Sequence, residues 1–340
     1  MSDSTHKGLI SSITVYNERF KIFNAFNDVN AVTFNEDVKQ GLTSYPKYLL
    51  SKYFYDQYGS ELFVKICHTP EYYVTRIETG ILKNISDEVA GLNSNKKVLV
   101  ELGSGSSVKT KYLINSFIKS NGVLKYVPID VSEIMISSSD DLVSEFEELK
   151  IDGILAEYET GLGIAGSVIK EPKMIVFLGS SIGNFNLTDA EKFIRHISDV
   201  MNPGDSLLIG FDLVKDTAVL NDAYNDSAQY TAMFNMNLLK RINSELQGEF
   251  NLEKFSHNAF FNESQSRIEM HLVSLEEQEI CIHAIREKIQ FDKDETIHTE
   301  NSYKFNNDMI YGLASSASLE VEKMWKDDKN YFALCMMRKG

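Results

Sequence analysis

Five segments of this 340-residue chain carry residue types that could do chemistry together. The first is Val98-Leu99-Val100-Glu101-Leu102 running into Gly103-Ser104-Gly105-Ser106-Ser107. A strand, a glycine turn and a helix start let the backbone close on a nucleotide-like ligand and offer it free N–H groups. Lys109, in the first turn of that helix, could reach a carboxylate. The second is Asp130, 27 positions after Gly103 at the end of the next apolar run, where an acid suits ribose hydroxyls. The third is the small-residue loop Gly179-Ser180-Ser181-Ile182-Gly183-Asn184, whose Asn184 both donates and accepts and so could hold a zwitterionic amino acid. The fourth is Tyr72-Tyr73 with Tyr224. The fifth is Glu300-Asn301-Ser302, a carboxylate and a hydroxyl on one face of a strand.

Each segment also has a plain structural reading. These are a generic tight turn with a solvated lysine, an exposed turn aspartate, an asparagine in turn chemistry, core tyrosines and a solvated strand face. The ribose role of Asp130 is shared by nicotinamide and S-adenosylmethionine sites. The loop lacks the G-x-G-x-x-G pattern, which tilts the choice toward S-adenosylmethionine and away from a nicotinamide oxidoreductase.

The elements that must position these residues alternate between strand and helix. Residues 97–102, 126–129, 153–157, 173–178 and 206–213 read as short apolar strands. Between them, Tyr112, Leu113, Phe117 and Ile118 have helical spacing, and 139–149 reads as a helix. Thr188 to Glu191 has capping-box spacing before the stripe of Phe193, Ile194, Ile197, Val200 and Met201. This rhythm predicts a parallel sheet covered on both faces. Pro128 predicts that its strand lies near a sheet edge or has its N–H position unpaired. After Asp212 the rhythm breaks. One long helix over 222–246 and strands at 267–274, 280–289 and 331–336 follow, so 215–300 reads as an insertion capping the sheet. Residues 1–35 read as a mixed start with an amphipathic helix and a loop. Residues 36–75 carry short helices interrupted at Tyr45-Pro46 and Thr69-Pro70.

Composition narrows the function classes. Apolar residues make up 43% and charged residues 24%, enough for a sizeable core. The net charge, 34 − 49 = −15, argues against a nucleic-acid or anionic-membrane partner. No run is long enough to cross a bilayer, and residues 1–7 lack the apolar core of a signal peptide. Cys67, Cys281 and Cys335 are odd in number and far apart, as reduced cytoplasmic thiols would be, and the histidines show no zinc spacing, so no metal is expected.

Together these segments resemble the EgtD-like, histidine-specific Nα-methyltransferase family of ergothioneine biosynthesis. The resemblance runs from about Asp37 to the C-terminus. Its blocks include Phe54-Tyr55-Asp56, Pro70-Glu71-Tyr72-Tyr73, Val100 to Gly105, Val176 to Asn184, Asp212-Leu213-Val214-Lys215-Asp216, Phe234-Asn235, Arg267-Ile268-Glu269-Met270, and Thr299-Glu300 with Ser302 and Lys304-Phe305. It implies an α/β fold, with a Rossmann-like class I methyltransferase core over 77–214 and 305–340. A second, smaller α+β substrate-binding domain would span 36–76 and 215–304, and 1–35 would be an N-terminal extension. It implies S-adenosylmethionine as methyl donor, held by Gly103, Lys109 and Asp130. Glu157-Tyr158 stands where the family commonly shows Asp-Phe beside the adenine, a departure by one methylene and one hydroxyl.

Tyr72, Asn184 and Tyr224 would bind the amino and carboxylate groups, with Tyr72 and Asn184 as the catalytic pair. Met270 would pack beside the side chain, and Glu300 and Ser302 would bind the imidazole. The implied reaction is Nα-methylation of L-histidine to the trimethylated betaine hercynine, by a cytoplasmic monomer. A carboxylate accepts from one ring N–H and a hydroxyl serves the other nitrogen. A side chain without those groups would leave Glu300 buried and unpaired, at about 1–3 kcal/mol. Tryptophan, a prenylated tryptophan and thiohistidine are the alternative amines within the family. A non-catalytic S-adenosylmethionine-binding protein is the alternative of a different class.

Overall fold

The computed structural model describes residues 10–25 and 33–340. In chain order its strands are β1 (Ser12–Asn17), β2 (Phe20–Asn24), β3 (Lys47–Tyr48), β4 (Val98–Leu102), β5 (Leu124–Asp130), β6 (Leu149–Leu155), β7 (Lys173–Phe177) and β8 (Ser206–Asp212). They continue with β9 (Phe255–Asn262), β10 (Arg267–Ser274), β11 (Gln278–Ile282), β12 (Glu287–Phe291), β13 (Thr296–Tyr303), β14 (Leu319–Lys326) and β15 (Phe332–Lys339). The helices are α1 (Phe34–Thr43), α2 (Gln57–His68), α3 (Val74–Leu92), α4 (Thr110–Asn121), α5 (Ile134–Glu145), α6 (Tyr158–Val168), α7 (Leu187–Val200), α8 (Thr217–Tyr224), α9 (Tyr230–Leu246) and α10 (Asn307–Ser316).

Nine strands form one sheet in the order β1-β2-β6-β5-β4-β7-β8-β15-β14. From β2 to β8 the neighbours run parallel, while β15, β14 and β1 add antiparallel at the two edges. Every residue of β4, β7 and β8 is buried. Such strands lose the alternating pattern because both faces are covered. Leu99, Val176 and Leu208 share a core with Leu82 and Val89 of α3 and Leu113 and Phe117 of α4. Val100, Ile175 and Ile209 share another with Phe193 and Ile197 of α7. The chain builds outward from β4 through β5 to β6, then returns past β4 to β7 and β8. Strand order therefore reverses between β4 and β7, and in open parallel sheets ligands bind beyond the strands' C-terminal ends at such a reversal. The Gly103 and Gly179 loops both leave from that point.

Pro128 lies inside the sheet, not at its edge. β5 pairs continuously with β4, Glu101 facing Pro128, but its ladder to β6 is interrupted between the pairs Tyr126–Ile151 and Ile129–Ile154. The missing N–H falls on that interrupted side, which is how an interior strand tolerates the ring.

The described part of the N-terminal segment is a β-hairpin, not a helix and loop. Phe20 and Ile22 of β2 are buried at 1% and 3% exposure, and β2 extends the parallel sheet beside β6. Their alternation, not a helical stripe, was the usable signal. The polar residues 1–7 lie outside the described residues. The helix expected at 139–149 is shifted to α5, and Leu149 opens β6. The strand expected over 280–289 is a hairpin of β11 and β12 around a 3₁₀ turn at His283–Ile285. The long helix expected over 222–246 is two helices. Between them, the Asp226 carboxylate accepts the Tyr230 and Thr231 N–H groups at 2.8 Å each, and Gln229 is left-handed at φ 60°. The apolar stripe runs across the break, so periodicity alone hides it.

A second sheet has the order β3-β13-β10-β9, antiparallel except for β3 beside β13. Helices α8 and α9 pack on it, and α2 packs on α9. The chain leaves the large sheet after β8 and returns after β13 at one place. There the Phe305 N–H bonds Asp212 O at 2.8 Å and the Val214 N–H bonds Phe305 O at 3.0 Å. No helix among the described residues is long and apolar enough to cross a membrane.

Candidate functional site

The β4 loop is built for close approach. Gly103 has φ 69°, and a Cβ there would meet the Tyr158 hydroxyl at 2.8 Å. A side chain is thus opposed both by backbone conformation and by space. Gly105, at φ 47°, gives its N–H to Asp130 Oδ2 at 2.7 Å, and Ser132 gives its N–H to Oδ1 at 2.8 Å. Asp130 braces the loop, and its carboxylate has lone pairs beyond those two bonds. Burial pushes its carboxyl up, and those backbone donors pull it back. Behind the loop, Glu101 accepts from Thr110 and Tyr126, and burial pushes its carboxyl up to about 7.

Lys109 stands just before α4 with its ammonium on the carboxylate of Glu78, a fully buried residue of α3. Glu78 also takes the Gly179 N–H at 2.8 and 3.0 Å. One carboxylate therefore ties the lysine to the third loop at the strand-order reversal. Sequence reasoning missed Glu78, which sits in an ordinary amphipathic helix. Tyr158 opens α6 and packs its ring edge-on to Phe177 at 5.5 Å, while Glu157 before it is exposed and pairs with Lys52 at 3.3 Å.

The other half of the site lies where the second sheet meets the Gly179 loop. Asn184 ends the 3₁₀ turn Ser181–Asn184. Gly183 of that turn packs so closely on β13 that a Cβ would lie 2.9 Å from the Tyr303 carbonyl oxygen. Tyr72 and Tyr224 are buried and meet edge to face at 6.2 Å. Met270 lies opposite Glu300 across β10 and β13, and Ser302 lies opposite Ile268, so Glu300 and Ser302 share a face. The Tyr224 hydroxyl donates to Ser302 Oγ at 2.8 Å. Tyr224 thereby reaches the Glu300–Ser302 end of the site.

Among the described residues, no group hydrogen-bonds or ion-pairs the carboxylate of Glu300, and the Tyr72 hydroxyl and Asn184 amide have no partner either. Burial pushes the Glu300 carboxyl up to about 7, against the pull of Lys304. Burial pushes the Tyr72 hydroxyl well above the ordinary phenol range.

Linear spacing could not reveal one further cluster. Glu269, His271 and His298 bring three possible ligand atoms within 4.8 Å of one another, on the opposite face of β10 from Met270. Glu269 already receives Arg267 at 2.7 Å and Asn262 at 2.9 Å. A fixed guanidinium therefore neutralises the carboxylate that a cation would need.

A family model described as "Histidine-specific methyltransferase, SAM-dependent" matches residues 34–339. The chain is 37% identical over 310 residues to a histidine N-alpha-methyltransferase of Mycolicibacterium smegmatis, covering 91% of this chain and 96% of that protein. It is 37% identical over 316 residues to the protein of the same name from Mycobacterium tuberculosis, covering 92% and 97%. A 4-dimethylallyltryptophan N-methyltransferase of Claviceps purpurea is 24% identical over 314 residues, covering 86% and 91%.

Proposed function

The chain belongs to the family of histidine-specific, S-adenosylmethionine-dependent methyltransferases, and from that premise we propose that it methylates the α-amino nitrogen of L-histidine up to the trimethylated betaine, hercynine. The observation that carries this reading is Glu300. Glu300 is half-buried and its carboxylate has no partner among the described residues, so a ring N–H is a donor that would relieve the charge that burial disfavours. Ser302, two residues on and on the same face, serves the second ring nitrogen.

Bound S-adenosylmethionine supplies a methyl on a sulfonium, already a strong alkyl donor. The chain's part is placement and exclusion of water. Gly103 and Gly105 let the loop close on the donor, Asp130 offers acceptors to its ribose, and Tyr158 and Glu157 flank its base. Lys109 faces its carboxylate. Tyr72 and Asn184 orient the amino acid's amine and carboxylate, with Tyr224 bridging toward the ring. The amine must lose a proton before each transfer. A phenol held neutral by burial does not take that proton, so Tyr72 orients the nitrogen as a hydrogen-bond partner and solvent removes the proton. Residues 36–76 and 215–304 serve as the substrate-binding part, against a donor-binding core of 77–214 and 305–340. Three free thiols suit a reducing cytoplasm.

The test is mass spectrometry of the purified protein with S-adenosylmethionine and, separately, histidine, tryptophan, a prenylated tryptophan and thiohistidine. Histidine should gain three methyl groups, and the others little. Glu300→Ala should lower histidine turnover about 100-fold or more while donor affinity holds, consistent with loss of a charged hydrogen bond. Equal loss of both would remove Glu300 from its assigned role.

A further inference from the structure

We infer that Lys304 is a positioning residue that fixes the Ser302 hydroxyl as a hydrogen-bond donor. The site then takes the neutral ring in one tautomer, N–H toward Glu300 and bare nitrogen toward Ser302. This inference rests on histidine being the substrate.

The argument is a count of donors and acceptors. Lys304 is fully buried. Its ammonium meets Asp212 Oδ2 at 2.8 Å, Ser302 Oγ at 2.8 Å and the Tyr224 hydroxyl oxygen at 3.2 Å. An ammonium has three donors and no acceptor, so all three are committed. Tyr224 accepts from the lysine and gives its own proton to Ser302. Ser302 Oγ thus receives two hydrogen bonds, which use both of its lone pairs. Its single proton remains to be given, and no described residue takes it.

A serine by itself can donate or accept. This one can only donate, because a lysine and a tyrosine occupy its acceptor side. Glu300, ionised, can only accept. One obligate donor and one obligate acceptor match a neutral imidazole, which has one N–H and one bare nitrogen. An imidazolium would put a second N–H against the Ser302 proton.

The lysine is itself held in place. The Asp212 carboxylate receives Lys304, Lys215 and the Tyr73 hydroxyl, and the Asp212 N–H donates to Ser180 Oγ at 2.8 Å. The polarity of Ser302 is therefore anchored at the end of β8 in the large sheet. Lys304 also lowers the Glu300 carboxyl through its charge, and the Glu300 charge in turn raises the phenols of Tyr55, Tyr72 and Tyr224. Burial works against the Lys304 charge, and the Asp212 carboxylate together with Tyr224 outweighs it, holding the ammonium above its ordinary range.

The test is nitrogen NMR of ring-labelled L-histidine bound to the full-length protein with S-adenosylhomocysteine. One ring nitrogen should carry a proton and the other none, in a single tautomer. Two protonated ring nitrogens, or an even mixture of tautomers, would overturn the inference with no variant needed. Lys304→Met should mix the tautomers and raise the histidine KM about tenfold, the loss of roughly one hydrogen bond, while donor affinity stays within about twofold. If Lys304→Met does not fold, Ser302→Ala, which leaves the ion pair intact, should mix them as well. An unchanged tautomer in a folded variant sinks the inference. Histidine that is neither bound nor methylated would instead sink the functional reading beneath it.

Discussion

Glu300 joins stability to the proposed function at the level of one residue. Its carboxyl in the folded chain, at about 7, lies above the ordinary value of 4.5, so ionising it costs the folded state. The cost is absent below pH 4.5 and complete above pH 7. Glutamine cannot ionise. Glu300→Gln should therefore melt higher than the parent at pH 8, by on the order of 2–3 kcal/mol, with the gap closing toward pH 4.5. The same variant should lose histidine turnover. Equal melting temperatures at pH 8 would mean that the carboxylate has found a partner. Gly103 makes a second residue-scale prediction. Alanine there brings both a left-handed strain of about 1–2 kcal/mol and a contact on the Tyr158 hydroxyl. Gly103→Ala should weaken donor binding at least tenfold by calorimetry, with histidine recognition less affected. Much of this was legible in the residue types, since Glu300, Ser302 and Lys304 stand two apart and the period of a strand puts them together. The commitment of Ser302 was not legible, because Asp212 and Tyr224 come from 92 and 80 positions away from Lys304.

Elements were predicted best where burial leaves a continuous apolar run, as in β4, β7 and β8. They were predicted worst where a polar side chain overrides periodicity. Asp226 is the clearest case. It ends the stripe that reads as one helix by capping the start of α9 with both carboxylate oxygens. Asp226→Ala should cost about 1–2 kcal/mol in thermal unfolding, the usual loss for a helix cap. It should also raise the histidine KM, because Tyr224 ends α8 two residues earlier. An unchanged KM with a lowered melting point would restrict Asp226 to stability. Pro128 teaches the complementary lesson. The requirement for an unpaired N–H was sound, but which strand would lie on that side depended on the topology.

At the scale of the whole molecule, two sheets share the first of the two cores and meet at one double crossing, and the buried ion pairs of Asp212 sit at that crossing. The N-terminal hairpin closes the far edge of the large sheet by burying Phe20 and Ile22 beside β6. Removing residues 1–25 should cost on the order of 3–6 kcal/mol for those two side chains and bare a parallel edge. The shortened chain should melt at least about 5 °C lower and aggregate on heating, yet still bind S-adenosylmethionine below that temperature. Loss of binding at low temperature would show that the hairpin supports the proposed donor site directly.

The sequence by itself determined the alternation of strands and helices, the loops at the strand-order reversal and the residue types proposed to meet the substrate. Those depend on local rules of periodicity, turn chemistry and hydrogen-bonding capacity. Only the tertiary structure decided that Glu78 ties Lys109 to Gly179, that Glu269 and His271 meet His298, and that Lys304 reaches both Asp212 and Ser302. These pairings join positions up to 101 residues apart. Burial makes them matter, because a charged group sealed from water must find its partner wherever the fold has brought one.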